Sequence, residues 1–223
     1  MLGRRTLLSA SQMAAEELRD LIQAGALQPG QRVNADELAE SLSISRTPVR
    51  DALQDLRTEG LVEILPRRGI FVRRISRDEV QDVYAIKTAI EPVAAAWAAE
   101  RADNSERDQL KIHMLAFEEA GRDEDLRRCA EQVDAIHSQL FAMAHSEVLS
   151  DVYRVFHTRV RLLRSLNMGQ PGRLTASLDQ HRRVVDHVVA QEPQAARDVM
   201  LQHMLDASAS VMGLDLAPNG VSA

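Results

Sequence analysis

Ser45-Arg46-Thr47-Pro48-Val49-Arg50-Asp51-Ala52-Leu53 is the stretch on which the fold turns. Ser45 stands at a helix N-cap position, and Pro48 suits a first turn, where its missing N–H has no intrahelical partner. Val49, Leu53 and Leu56 repeat at i, i+4 and i+7, so the helix buries one face until Gly60 ends it. Upstream, Asn34 followed by Glu37 has the form of a capping box and opens a short helix with Leu38 and Leu42 inside. Further upstream, Ala14, Leu18 and Leu21 mark a helix over residues 11–24, stopped by Leu27-Gln28-Pro29-Gly30. Downstream, Leu61-Val62-Glu63-Ile64-Leu65 and Ile70-Phe71-Val72-Arg73 are β-prone runs joined by Pro66-Arg67-Arg68-Gly69. Three helices and a hairpin predict a winged helix-turn-helix over residues 1–75. In that fold the helix starting at Arg46 enters the major groove, where an arginine can pair with guanine O6 and N7.

A chain of 223 residues is long enough for a second domain with its own core. Hydrophobic residues at 45% and charged residues at 27% exclude a disordered or fibrous chain. No run approaches the ~20 apolar residues of a membrane span, and the start, MLGRRTLLSASQ, has no apolar signal core with a cleavage site, so the expected location is the cytoplasm. Cys129 is the sole cysteine, which rules out an intramolecular disulfide or a cysteine-based zinc site and marks it as a core residue. The net charge of -6 argues against a nucleic-acid partner until it is divided. Residues 1–75 hold 11 Arg against 10 acidic residues, and the excess of acid lies entirely in residues 76–223. Within the first part Arg4, Arg5, Arg46, Arg50, Arg67, Arg68, Arg73 and Arg74 gather at its start, at one helix start and around one hairpin, a distribution suited to phosphate contacts.

From Ser76, which with Glu79 repeats the cap pattern, the chain reads as helical: 77–101, 105–120, 123–145, 147–166, 175–190 and 193–212. The fold class is therefore mainly α, a six-helix all-α bundle over 76–213 after the winged domain, with a disordered tail over 214–223. His181 shares a face with Leu178, Val185 and Val188, and His203 shares one with Ala196, Val199, Met200 and Ala207. His137 flanks the stripe of Val133, Ile136 and Leu140, with Asp134 three residues before it on the same side. Three inward imidazoles are costly unless partnered, and one divalent cation would satisfy all three. Neutral imidazoles with one carboxylate suit zinc, nickel or another transition metal, which nominates Asp134, His137, His181 and His203 as ligands. Each histidine bonded separately to a core neighbour is the other reading. His113, His145, His157 and His187 read as surface or capping residues.

Residues 28–72, with Leu27-Gln28-Pro29-Gly30, Ser45-Arg46-Thr47-Pro48-Val49-Arg50, Glu59-Gly60-Leu61-Val62 and Gly69-Ile70-Phe71-Val72, resemble the GntR family of regulators. The resemblance implies DNA contacts by Arg46, Thr47, Arg50 and Gly69; Arg67 and Arg68 at the wing tip are added for their charge. Asp36 stands where some relatives place a basic residue, and no DNA contact is assigned to it. Residues 80–210 resemble the FCD domain of the FadR-type branch, in its VanR-like group: Ile90-Glu91-Pro92, Asp134 to His137, Gln180-His181, then His203. That resemblance implies an Asp and three His around a metal. Its usual carboxylate lies four residues before the first histidine, where this chain has Val133, with Asp134 displaced by one. It also implies that Lys87, where many relatives carry Arg, faces the effector pocket; Arg159 and Arg164 on the fourth helix complete an anion-binding set.

Together these readings predict a homodimeric transcription regulator, a repressor, that binds a palindromic operator on double-stranded DNA and responds to a small organic acid held near a divalent metal. A metal-free pocket for an apolar or acyl effector is a second reading. A metal-dependent hydrolase fused to a DNA-binding module is a third, although no nucleophile elbow, phosphate loop or HExxH motif accompanies the histidines.

Overall fold

In the structure, a computed structural model that describes residues 9–23, 26–168 and 172–213, a first compact unit ends at Arg74 and a second begins at Ile75. The tail expected over 214–223 lies outside the described residues. The first unit contains α1 (Ala10–Gln23), β1 (Arg32–Val33), α2 (Ala35–Ser41), α3 (Arg46–Thr58), β2 (Val62–Leu65) and β3 (Gly69–Val72). Helix α1 packs on α3, with Ala14, Leu18 and Ile22 buried on one and Val49, Ala52, Leu53 and Leu56 on the other. Ile22 rather than Leu21 completes the inner stripe of α1, the i+4 choice over the i+3.

Two caps differ from the sequence reading. Asn34 Oδ1 accepts from the Asp36 N–H at 3.1 Å and the Glu37 N–H at 3.5 Å, as a cap should, but the Glu37 carboxylate returns to the Asn34 side-chain amide at 2.7 Å rather than to its backbone N–H. Ser45 has the extended conformation of an N-cap (φ -77°, ψ 166°) without a side-chain cap hydrogen bond. The wing is a three-stranded antiparallel sheet in the order β1-β3-β2, with Ile64 opposite Ile70 and Arg32 opposite Phe71. Strand β1 was not legible beforehand because two residues carry no alternation. At the wing turn Gly69 has φ +118°, a backbone conformation that side-chain-bearing residues rarely adopt and that glycine takes without strain.

The second unit contains α4 (Arg77–Arg101), α5 (Asn104–Arg122), α6 (Leu126–Met143), α7 (Glu147–Met168), α8 (Arg173–Val189) and α9 (Pro193–Met212). Ser76 Oγ accepts from the Glu79 N–H and starts α4; Asp103 and Glu106 form a reciprocal capping box that starts α5. Helix α4 lies against α6, α7, α8 and α9. A helix so surrounded must bury residues around much of its circumference, and its small residues Ala94, Ala95, Ala98 and Ala99 allow the close approach. Leu110, Phe117, Ile136, Leu140, Met143, Met200 and Met204 fill the core between the helices. The same packing sets the polar residues of α4, α6, α8 and α9 around one internal cavity.

Candidate functional site

His137 on α6, His181 on α8 and His203 on α9 are all buried, and one nitrogen from each lies within 4.8 Å of the others. Their convergence follows from the inward stripes on which they sit. The Nε2 atoms of His137 and His181 stand 3.2 Å apart. Each ring is held from behind through Nδ1. His181 Nδ1 donates to the Ser177 carbonyl at 2.7 Å; a carbonyl only accepts, so this nitrogen carries the proton. His137 Nδ1 donates to the buried Glu91 carboxylate. His203 Nδ1 lies 2.8 Å from Gln180 Oε1. The orientation of that amide is set by its other partners: its oxygen also accepts from Arg173 at 3.1 Å and its NH2 donates to Asp206 at 2.6 Å. Each ring is thus held through Nδ1, which leaves the Nε2 atoms of His137 and His181 facing each other at hydrogen-bond distance.

This is the arrangement of metal-ligating histidines, each oriented by a second hydrogen bond. A four-coordinate ion with bonds of ~2.0 Å would place neighbouring nitrogens about 3.3 Å apart, close to the 3.2 Å between His137 and His181. The space left at the site is about 20 Å³, room for an ion or a water. Burial, reinforced by His181, His137, Arg173 and Lys87, holds the His203 imidazole well below its usual range and therefore in the neutral form that a metal needs.

The cavity is lined further by Tyr84, Lys87 and Arg173. Lys87 lies where the resemblance placed it, buried, with Nζ 3.0 Å from Glu91 Oε1. Arg173 is a buried guanidinium whose hydrogen-bond partner is the neutral Gln180 amide, and desolvation lowers its pKa. Glu91, Arg173, Ser177 and Gln180 were not picked out as site residues from sequence. Spacing held the signal: Lys87 and Glu91, and Ser177 and His181, are each one turn apart, and Arg173 is two turns before His181.

Asp134 is not in the histidine cluster. It pairs with His157 of α7, Oδ1 to Nε2 at 3.0 Å. Helical geometry explains this: at about 100° per residue, a position three before His137 points roughly 60° to one side of it, whereas the position four before points about 40° to the other. Val133, at that second position, lines the cavity. Arg159 and Arg164 lie on α7, but their side chains are outside the described residues.

On the first unit, Arg46, Thr47 and Arg50 are exposed on the first turns of α3, and Arg67 and Arg68 are exposed at the wing tip beside Gly69. Arg46 Nε lies 2.9 Å from Asp36 Oδ1.

A winged helix-turn-helix that displays arginines at the start of its third helix, joined to a helical unit with an internal polar site, defines a DNA-binding transcription regulator rather than an enzyme. The model for bacterial regulatory proteins of the gntR family matches residues 10–72, and the FCD domain model matches residues 82–206. The chain belongs to the gntR family of bacterial regulatory proteins, in the branch that carries an FCD domain.

Among similar proteins are the HTH-type transcriptional regulator YdhC of Bacillus subtilis (strain 168), 26% identical over 84% of each chain, and the Nta operon transcriptional regulator of Aminobacter aminovorans, 28% identical over 79% of this chain and 82% of that one. The HTH-type transcriptional repressor RspR of Escherichia coli (strain K12) is 27% identical over 86% of this chain and 84% of its own. A GntR transcriptional regulator from Rhodococcus sp. RHA1 has the same fold, with a TM-score of 0.73 over 92% of this chain and 99% of that chain at 24% identity. Among the described residues no helix is long and apolar enough to cross a membrane.

Proposed function

We propose that the protein is a homodimeric repressor that binds a palindromic operator and is released by a small organic acid held beside a divalent metal, zinc in the first instance. The observation that carries this reading is the convergence of three buried histidines, each held from behind through Nδ1. With Nδ1 of each ring engaged by Glu91, Ser177 or Gln180, the opposite ring edge is available as a ligand, and one cation would satisfy all three buried rings at once. His137, His181 and His203 would hold the ion, which would supply positive charge and an open position for a carboxylate. Arg173, which lines the same cavity and donates to the neutral Gln180 amide, would supply a second point of attraction for an anion, and Lys87 lies alongside. The lining mixes Val133, Met204 and Ala207 with Lys87, Arg173 and the three histidines, and it is the buried cations that favour an anion over an apolar effector. Two copies related by a two-fold axis would present α3 to successive major grooves, with Arg46, Thr47 and Arg50 toward the bases and Gly69, Arg67 and Arg68 toward the flanking backbone. Repression is supported by the relative named RspR.

Release requires that the acid prefer one arrangement of the dimer, and a preference of about 1–3 kcal/mol changes operator affinity roughly five- to 150-fold. The test is protein purified without chelators, analysed for metal, and screened by thermal shift against small carboxylates with and without EDTA and added zinc. Hits are then carried to anisotropy titrations on duplexes taken from around its own gene. One metal per chain, lost in His181→Ala, and a carboxylate that weakens duplex binding are expected. Metal-free protein that ignores every carboxylate would overturn the proposal.

A further inference from the structure

Asp36 is an acidic residue on the face that α2 and α3 present beside one another at the start of the recognition helix. Its backbone N–H is fixed by Asn34 Oδ1 at 3.1 Å, in the first turn of α2, and its Oδ1 reaches Arg46 Nε at 2.9 Å. Both side chains are exposed, 57% and 75% respectively. An ion pair so open to water adds little to folding. An acid beside phosphates also opposes duplex binding, so neither stability nor affinity accounts for a carboxylate here. What the contact does is geometric. A guanidinium has two hydrogen-bonding forks, and the carboxylate engages Nε, which leaves the terminal Nη1–Nη2 fork directed away from it. That fork spans guanine O6 and N7 in the major groove.

We propose that Asp36 is a specificity-determining residue that holds Arg46 by Nε and presents its terminal fork to a guanine edge. The carboxylate acts twice. It limits the rotamers of a long side chain before the duplex arrives, which lowers the ordering cost of the base contact. It also repels the phosphate backbone, which would otherwise draw the arginine into contacts that carry no sequence information. Asp36 therefore trades some general affinity for discrimination. This inference rests on the assignment of Arg46 to base reading, and the variants below separate the two.

The experiment is selection from a pool of random duplexes by the full-length protein, followed by anisotropy titration of the selected duplex and each of its single-base variants. Four proteins are compared: unaltered, Arg46→Ala, Asp36→Ala and Asp36→Asn. Arg46→Ala identifies the base pair that Arg46 reads. Asp36→Ala is expected to lose roughly tenfold discrimination at that pair and no other, while its affinity for unselected duplexes holds or rises. Asp36→Asn, nearly isosteric and still able to accept from Nε, is expected to keep most of the preference. An Asp36→Ala protein with every base preference intact, whatever its overall affinity, overturns the role of Asp36 alone, as does Asp36→Asn behaving like Asp36→Ala. An Arg46→Ala protein with unchanged preferences overturns the assignment of Arg46, and the proposal with it. Thermal melts of all four confirm that the comparison is between folded proteins.

Discussion

Lys87 Nζ stands 3.0 Å from Glu91 Oε1, one turn away on α4, and both side chains are almost wholly buried. The other carboxylate oxygen of Glu91 takes the N–H of His137. One acid thus balances an ammonium and orients an imidazole.

Glu91→Gln is expected to weaken zinc binding about 10- to 100-fold through the loss of the carboxylate behind His137. It should also lower stability by about 3 kcal/mol, because it removes the carboxylate from a buried ion pair. Competition against a chromophoric chelator measures the first and urea unfolding the second. Unaltered zinc affinity would show that the ring needs no such support.

Acid should destabilise the metal-stripped protein. Burial, then the neighbouring His181 and His137, keeps folded His203 neutral well below its ordinary value of 6.5, whereas the unfolded chain takes up a proton there near that value. The contribution is therefore fully present above about pH 6.5 and lost as pH falls toward the folded value. Melting temperatures between pH 7 and pH 5 should decline in the parent and decline less in His203→Gln. Equal slopes in the two would assign the effect elsewhere.

The Cys129 thiol is buried, and burial with the nearby Asp125 pushes its pKa up to about 11 against the opposing pull of Arg128. At pH 8 the native protein should not react with a disulfide reagent of the Ellman type, and one equivalent of thiol should appear on unfolding in guanidinium. Rapid reaction of the native protein would contradict this burial.

Arg19 of α1 holds Glu59, at the C-terminal end of α3, through a fork of two hydrogen bonds, one of them 2.9 Å from Nε. Glu59 raises the pKa of the arginine in turn. Arg19→Ala should cost roughly 1.5 kcal/mol in urea unfolding, and Arg19→Lys should recover little of it, since a lysine has no fork. Full recovery by lysine would reduce the contact to simple charge.

Long elements were legible in the sequence because their apolar periodicity was unbroken. The six helices of the second unit lie within a few residues of their expected bounds, and the histidines on inward stripes are buried together. What could not be read was anything set by partners on other elements. Asp134 looked equivalent to a ligand by spacing alone, and only the position of His157 on α7 shows where it turns. Glu91 and Gln180 owe their roles to rings 46 and 23 residues away in sequence. Strand β1 exists only because β3 lies beside it.

That short strand has a further consequence. Because β1 ties the chain just ahead of α2 to the outer edge of the hairpin, with Arg32 across from Phe71 and Val33 across from Ile70, the hairpin cannot swing without dragging the entrance to the helix-turn-helix. The unit meets a duplex as a stiff printing block whose raised parts are already aligned, and little entropy remains to be surrendered at each landing.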